Sequence, residues 1–284
     1  MKSLLTSLII ALIALSPAVG CGTMTIRTYS APRHNRFYTG SDKNFIGAAY
    51  NFSGVGQFSS GHWATLLSDN YFITAAHYGP AINEQVTFYA TNSRSGNSFT
   101  YTVASLTRIK TSSGELTDIM IGRLNTAVDS SITRYPILEL PNQSDYLGKI
   151  IYNYGVQDIV GRNVIDRIND SSDGSSFNKV LWYDYDGNDT PSVGGDETVL
   201  QYYDSGAPSF IATSSGLALV GIHWLSDRAT ISGDSFIPAY VSNIDAVLKA
   251  NGQALMVVPE PSAQCYALII SCVLWLMRRR GNLL

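Results

Sequence analysis

The hydrophobic residues of this chain fall into short runs separated by residues that favour turns. Between about residues 45 and 240, most runs are roughly four to eight residues long and rich in Val, Ile, Tyr, Thr and Phe. These runs predict strands at 63–67, 71–76, 85–90, 99–109, 119–124, 150–154, 180–185, 209–212 and 218–223. Clusters of Ser, Asn, Asp and Gly predict turns at 68–70, 92–97, 112–114 and 169–176. Because no repeat of 20–50 residues appears, the pattern favours an all-β sandwich or pair of barrels over a propeller.

One helix is predicted near the end of this β-rich region. Ser242 can cap it, and Asp245 three residues later completes a pair similar to a capping box. Ile244 and Leu248 then share one apolar face, and Gly252 ends the helix. The predicted body is therefore many strands followed by a single C-terminal helix.

The N-terminal residues have the pattern of a secretory signal peptide. Lys2 precedes an apolar run over residues 4–15, and Ala18 and Gly20 form a small-x-small cleavage site. We therefore predict a signal peptide over residues 1–20 and export of the chain. Residues 21–45 show little periodicity and are interpreted as a leader or pro-segment.

The C-terminal residues 256–284 carry a different signal. Residues 258–261 read Val-Pro-Glu-Pro, an apolar run follows over 263–277, and three arginines occupy 278–280. This combination resembles the PEP-CTERM sorting signal of Gram-negative bacteria. The resemblance implies transient anchoring in the inner membrane, handling by an exosortase-type enzyme, and a final location at the cell surface or outside the cell. A plain C-terminal membrane anchor is the alternative.

Composition narrows the class of protein further. The 284 residues are 45% apolar and 14% charged, with a net charge of −3, so no basic surface for nucleic acid is predicted. The three cysteines stand at 21, 265 and 272, outside the region between the two end signals. That region must therefore be stabilised without disulfide bonds.

Three short motifs point to one kind of chemistry. His77 ends the sequence Thr-Ala-Ala-His after an apolar strand, Asp118 opens a strand, and Ser205 lies in Asp-Ser-Gly-Ala-Pro. Each motif alone is common in structural roles. A serine hydroxyl attacks a carbonyl only when a base removes its proton, and a histidine held by a carboxylate can act as that base.

The order His, Asp, Ser in a β-rich body resembles the trypsin/chymotrypsin family of serine proteases over residues 46–252. The resemblance implies an all-β fold of two barrels with a C-terminal helix. It implies a peptide or protein substrate and a serine-type endopeptidase that needs no cofactor. It assigns Ser205 as nucleophile, His77 as general base and then acid, and Asp118 as the residue that orients His77. It also assigns the backbone N–H groups of Tyr203 and Ser205 to the oxyanion hole.

Tyr203 departs from the family pattern, which has glycine at this position. The N–H group needs backbone angles that Tyr reaches only at a cost of about 1–2 kcal/mol. The alternative function is therefore a catalytically impaired binding module with the protease fold at the cell surface.

The resemblance also predicts a substrate pocket and an activating cleavage. Val199 would form the base of the pocket and carries no charge, which disfavours selection of Arg or Lys. His223, in Gly-Ile-His, resembles the histidine that meets a substrate carboxylate in glutamyl endopeptidases; the alternative is a strand histidine with a local hydrogen bond. Asp204 would pair with a new amino terminus released by a cut between Lys43 and Ile46.

Other candidate sites are weaker. Ser235 follows Gly-Asp as a nucleophile could, but Phe236 stands where the family has glycine. Residues 184–189 cluster oxygen ligands without the later glutamate of a calcium loop, and the four histidines show no paired metal spacing. No metal site is predicted.

Overall fold

The computed structural model describes residues 22–186 and 192–259. The predicted signal peptide and nearly all of the predicted sorting segment lie outside the described residues. Within the described ranges, no helix has the length and hydrophobicity needed to cross a membrane.

An N-terminal segment precedes the two main β structures. It contains strand β1 (Thr25–Ile26) and the short helix α1 (Ala31–His34). Met24 and Ile26 are buried, and the guanidinium of Arg36 is fully buried among hydrogen-bond acceptors. The segment predicted to be a leader is therefore packed into the body of the uncut chain.

Six strands close into a barrel after this segment. They are β2 (Val55–Phe58), β3 (Trp63–Leu66), β4 (Tyr71–Ala75), β5 (Gln85–Tyr89), β6 (Ser98–Lys110) and β7 (Leu116–Leu124). The order around the barrel is β2-β3-β4-β7-β6-β5. Closure leaves no unpaired sheet edge and encloses an apolar interior that includes Leu66, Phe72, Phe88 and Val103.

A nine-stranded sheet follows the barrel. Its strands, with the short β13, are β8 (Ile137–Leu138), β9 (Ile150–Gly155), β10 (Ile159–Val164), β11 (Arg167–Ser172), β12 (Phe177–Asp184), β13 (Thr198–Val199), β14 (Pro208–Thr213), β15 (Gly216–Ser226), β16 (Ile231–Phe236) and β17 (Val257–Val258). The main path of this sheet runs β10-β9-β14-β15-β16-β12-β11. Strand β8 pairs with β15, and β17 pairs with β8. Strand β13 pairs with β1 in a separate two-stranded sheet. No ladder among the described residues joins β10 to β11, so hydrogen bonds do not close this sheet.

The C-terminal helix α2 spans Val241–Lys249 and is preceded by a 3₁₀ turn over Ile237–Tyr240. The predicted cap is wrong, because the helix begins one residue before Ser242 and has no side-chain cap. Asp245 instead pairs with Lys249 one turn later, at 2.6 Å. Gly252, with φ of 72°, lies just beyond the end of the helix, as predicted.

The prediction of an all-β fold with a C-terminal helix is confirmed, and each predicted strand matches an observed one to within a few residues. The strands at Val55–Phe58, Ile159–Val164 and Ile231–Phe236 were not predicted. The turn predicted at 169–176 is confined to 173–176, because β11 continues to Ser172.

Candidate active site

His77 and Asp118 are held together by neighbouring barrel strands. His77 follows β4 and Asp118 lies in β7, and these strands pair antiparallel. The backbone N–H of Ala76 donates to the carbonyl of Asp118 at 3.0 Å, and the N–H of His77 donates to Asp118 Oδ1 at 2.7 Å. Backbone contacts between the two strands therefore hold the Asp118 carboxylate in place independently of the imidazole ring.

The imidazole of His77 contacts both predicted partners. Its Nδ1 lies 2.7 Å from Asp118 Oδ2, and its Nε2 lies 2.9 Å from Ser205 Oγ. The Asp118 side chain is fully buried, whereas the His77 side chain is one-third exposed. Because the carboxylate can only accept, Nδ1 is the donor, which leaves Nε2 as the acceptor for the Ser205 proton.

Asn178, which the sequence analysis missed, and Ser235, which it considered only as a nucleophile, form a hydrogen-bonded chain to the Asp118 backbone. The Asp118 N–H donates to Asn178 Oδ1 at 2.9 Å, and Asn178 Nδ2 donates to Ser235 Oγ at 2.6 Å. Asn178 and Ser235 are both fully buried. Ser235 thus lies in the interior as a hydrogen-bond acceptor. Asn178 had no recognisable sequence signal, because β12 gave only a hydrophobic run.

Ser205 lies in the loop between β13 and β14. Gly206, the next residue, has φ of 85°, and a Cβ there would lie 2.6 Å from Thr74 Oγ1 of the barrel. Only glycine allows the loop to approach β4 this closely. The Gly206 N–H donates to the carbonyl of His223 at 3.0 Å, which ties the loop to β15.

Tyr203 has a left-handed backbone, with φ of 72°, at the position where the protease family has glycine. Its carbonyl accepts a hydrogen bond from Trp63 Nε1 at 3.2 Å, and its ring lies 6.2 Å from that of Tyr78. Among the described residues, no acceptor is bonded to the N–H of Tyr203 or of Ser205. Both groups therefore retain an unused donor in the Ser205 loop.

A cavity of about 360 Å³ adjoins Ser205. Its wall includes Leu200, Tyr202, Trp224 and Leu225, so much of the lining is apolar or aromatic. Arg228 also lines it, with its guanidinium carbon 4.1 Å from the centre of the Tyr202 ring. A positive charge here disfavours an Arg or Lys side chain.

His223 borders the cavity, as predicted, but the predicted contact of its ring with a substrate carboxylate is wrong. The side chain is fully buried, its Nδ1 lies 2.7 Å from Asp234 Oδ1, and its Nε2 lies 2.9 Å from the carbonyl of Tyr154. Burial lowers the His223 pKa, but the charge and hydrogen bond of Asp234, the Asp204 charge and the Tyr154 carbonyl together outweigh burial and leave the pKa raised. Both nitrogens are already occupied, so neither is free to bind a substrate carboxylate.

The predicted pocket role of Val199 is also wrong. Val199 is buried in β13, where it pairs with Thr25 of β1, and it does not line the cavity. Leu200, the next residue, takes that place. The prediction used only the distance of Val199 from Ser205 along the sequence. That distance cannot show that β1 pairs with β13.

The Asp204 carboxylate is fully buried beneath the Ser205 loop. It accepts hydrogen bonds from the N–H groups of Val156 at 2.9 Å and Gln201 at 2.8 Å. Burial raises its pKa to about 6 despite these bonds. In this uncut chain the N–H of Ile46, the predicted partner after cleavage, donates to the carbonyl of Arg33 at 2.8 Å.

Comparison with known proteins gives a likeness of fold. No family profile matches the chain, and no curated protein matches its sequence. Two solved structures of heparin binding protein, one of them a double mutant of the human protein, each cover 72% of this chain and 94% of their own. Sequence identity is 13% for the mutant and 14% for the other, with TM-scores of 0.48 and 0.49.

The chain has a trypsin-like fold. In this fold a six-stranded barrel supplies His77 and Asp118, and a loop of the following sheet supplies Ser205. Likeness at these identities carries no information about chemistry.

Proposed function

We propose that this protein is a serine endopeptidase that cleaves peptide bonds through Ser205, His77 and Asp118. The observation that carries the proposal is the continuous hydrogen-bonded line from Asp118 Oδ2 through the imidazole to Ser205 Oγ, with contacts of 2.7 and 2.9 Å. Both contacts are within reach for direct proton transfer.

The geometry supports a balanced two-step reaction. Ser205 Oγ attacks the substrate carbonyl carbon while its proton passes to His77 Nε2, and the N–H groups of Tyr203 and Ser205 stabilise the resulting oxyanion. Collapse of this intermediate breaks the C–N bond, and His77 returns the proton to the leaving amine. Water then attacks the acyl-enzyme with His77 again acting as base, which releases the acid and restores Ser205.

A binding module with an impaired site is the second candidate, and Tyr203 is the observation that favours it. A non-glycine residue at φ of 72° stores strain that a working oxyanion hole must overcome. Loss of one oxyanion donor lowers the rate by about 10²–10³. The two candidates therefore differ in the reactivity of Ser205.

Labelling with a serine-directed phosphonate separates these candidates. We expect the purified full chain to take up one label and Ser205→Ala to take up none, because Ser205 contacts an imidazole that the buried Asp118 carboxylate orients. Ser215→Ala, which removes a hydroxyl from an exposed turn, is the matched control and should label normally. Absence of labelling in the wild-type chain would favour the binding module.

The two end signals support a proposal about location. We propose that the protein is exported, held briefly in the inner membrane through its C-terminal segment, and released to the cell surface or beyond by an exosortase-type enzyme. The mass of the mature protein tests both ends together. A mass that retains residues 1–20 or the three terminal arginines would contradict the proposal.

A further inference from the structure

The N-terminal segment contacts the chain immediately before the Ser205 loop. Strand β1 pairs antiparallel with β13, with Thr25 opposite Val199 and Ile26 opposite Thr198. The N–H of Arg27 donates to the carbonyl of Glu197 at 3.0 Å, which extends the pairing by one residue. The loop that carries Ser205 begins at residue 200, directly after β13. The pairing of β1 with β13 therefore fixes the position of the first residue of this loop.

An ion-pair cluster strengthens the same attachment. Arg33 contacts the Asp196 carboxylate through Nε at 2.6 Å and Nη2 at 2.7 Å, and His34 Nε2 lies 3.1 Å from the same group. Burial raises the pKa of Asp196, but hydrogen bonds from His34, Arg33 and Arg162 outweigh it and hold the pKa well below its usual range. The bidentate geometry on a buried carboxylate restricts the position of Asp196 more than a single surface contact does.

The segment also reaches the underside of the loop itself. The backbone N–H of Met24 interacts with the buried Asp204 carboxylate, with a smaller effect on its pKa than the N–H groups of Val156 and Gln201. A Cβ on Gly155 would lie 2.8 Å from Asp204 Oδ1 and 2.9 Å from the Met24 Cβ. Glycine at 155 therefore permits the close approach of Met24 and Asp204.

We infer that residues 24–36 position the Ser205 loop in the uncut chain, so that the site is assembled without cleavage between Lys43 and Ile46. This inference rests on the proposed function. In the uncut chain, the N–H groups of Val156 and Gln201 already donate to the Asp204 carboxylate, the predicted partner of a new amino terminus. Arg33 holds Asp196, which lies just before the strand that leads into the loop. Arg33 does not touch the reacting atoms and is a positioning residue.

The mass of the phosphonate-labelled species tests the inference directly. We expect the exported full chain to label at Ser205 while it still contains Met24 and an intact bond at every position from 43 to 46. Labelling confined to chains with a new terminus at 44–46 would overturn the inference and leave the proposed function intact. Absence of labelling in both cut and uncut chains would overturn both.

Substitution of Arg33 tests the positioning role. We expect Arg33→Gln to lower kcat by about tenfold and to change KM less, because a displaced loop moves Ser205 Oγ away from His77 Nε2 while only part of the pocket wall lies on that loop. Arg33→Lys should restore part of the loss. The matched control is Arg94→Gln, which removes an ion pair to Asp158 of the same 2.6 Å length away from the Ser205 loop.

The thermal midpoint of each variant separates positioning from stability. If Arg33→Gln and Arg94→Gln lower kcat equally, or if kcat merely follows the thermal midpoint, the positioning role is refuted.

Discussion

The barrel and the sheet that follows it bury different kinds of interior. The barrel encloses a cluster of apolar residues around Phe72, which packs over Gly122 where a Cβ would lie 2.0 Å from the ring. The sheet encloses a connected polar group in which Asp234 accepts from Tyr183 and Ser209 and contacts His223. Apolar packing therefore stabilises both regions, and the sheet adds this network of buried hydrogen bonds.

This difference matches what each region contributes to the site. The barrel holds His77 and Asp118 on or beside paired strands, where the ladder itself sets their distance. The sheet must hold Ser205 on a loop, which has no ladder of its own. Hydrogen bonds depend on direction, whereas apolar packing does not. The sheet therefore holds the loop through the carbonyl of His223, which accepts from Gly206, and through the Asp204 carboxylate, which accepts from Val156.

The largest expected effect comes from deleting one central residue of each interior. We expect Phe72→Ala and Asp234→Ala each to lower the free energy of unfolding by about 3–5 kcal/mol. The first leaves a cavity in the barrel. The second leaves the imidazole of His223 and the hydroxyls of Tyr183 and Ser209 without their acceptor.

The pH dependence of these two losses distinguishes the interiors. The His223 pKa is raised above 6.5, so its stabilising pair with Asp234 is fully present below 6.5 and weakens as pH rises through the folded-state pKa. The loss caused by Asp234→Ala should therefore shrink with rising pH, whereas the loss caused by Phe72→Ala should not. Urea unfolding at pH values on either side of this range measures both, and equal pH profiles would refute the contrast.

The same contrast explains what could be predicted from the sequence. Five of the six barrel strands follow alternating or continuous apolar runs, and the motifs of His77, Asp118 and Ser205 are local, so these features were identified, whereas Val55–Phe58 was not. The buried contacts of His223 and the covering of Val199 by β1 depend on pairing between residues far apart in the chain. A sequence pattern shows that a strand exists but not which strand lies beside it.

Asp204 provides the next test of the polar interior. Its pKa is raised from 3.8 to about 6, so between these values the folded chain binds a proton that the unfolded chain has lost. The free energy of unfolding must therefore fall as pH rises across this window, by up to about 3 kcal/mol from this group. Asp204→Asn removes the titration, so the stability of the wild-type chain relative to this variant should decline from pH 3.8 to 6.

Other carboxylates also titrate in this range, and the comparison between variants cancels their contribution. Glu139→Gln, which removes an exposed carboxylate, is the control for the loss of one charge. A constant difference between wild type and Asp204→Asn across the window would show that Asp204 is not held in a protonated state.

Tyr203 provides the smallest and most local test, because its strain lies in the loop and in neither interior. Its φ of 72° costs a residue with a Cβ about 1 kcal/mol relative to glycine. We expect Tyr203→Gly to raise the free energy of unfolding by less than that amount, because the greater freedom of the unfolded chain offsets part of the gain, and to speed the labelling of Ser205 because the oxyanion donor relaxes.

Tyr202→Gly is the matched control for this substitution. Tyr202 is also an exposed tyrosine in the same loop, but its backbone lies outside the left-handed region. Glycine there should therefore lower stability through the greater freedom of the unfolded chain. If both substitutions change stability and labelling in the same direction, Tyr203 carries no strain of its own, and the loop must be held entirely by Asp204, His223 and the N-terminal segment.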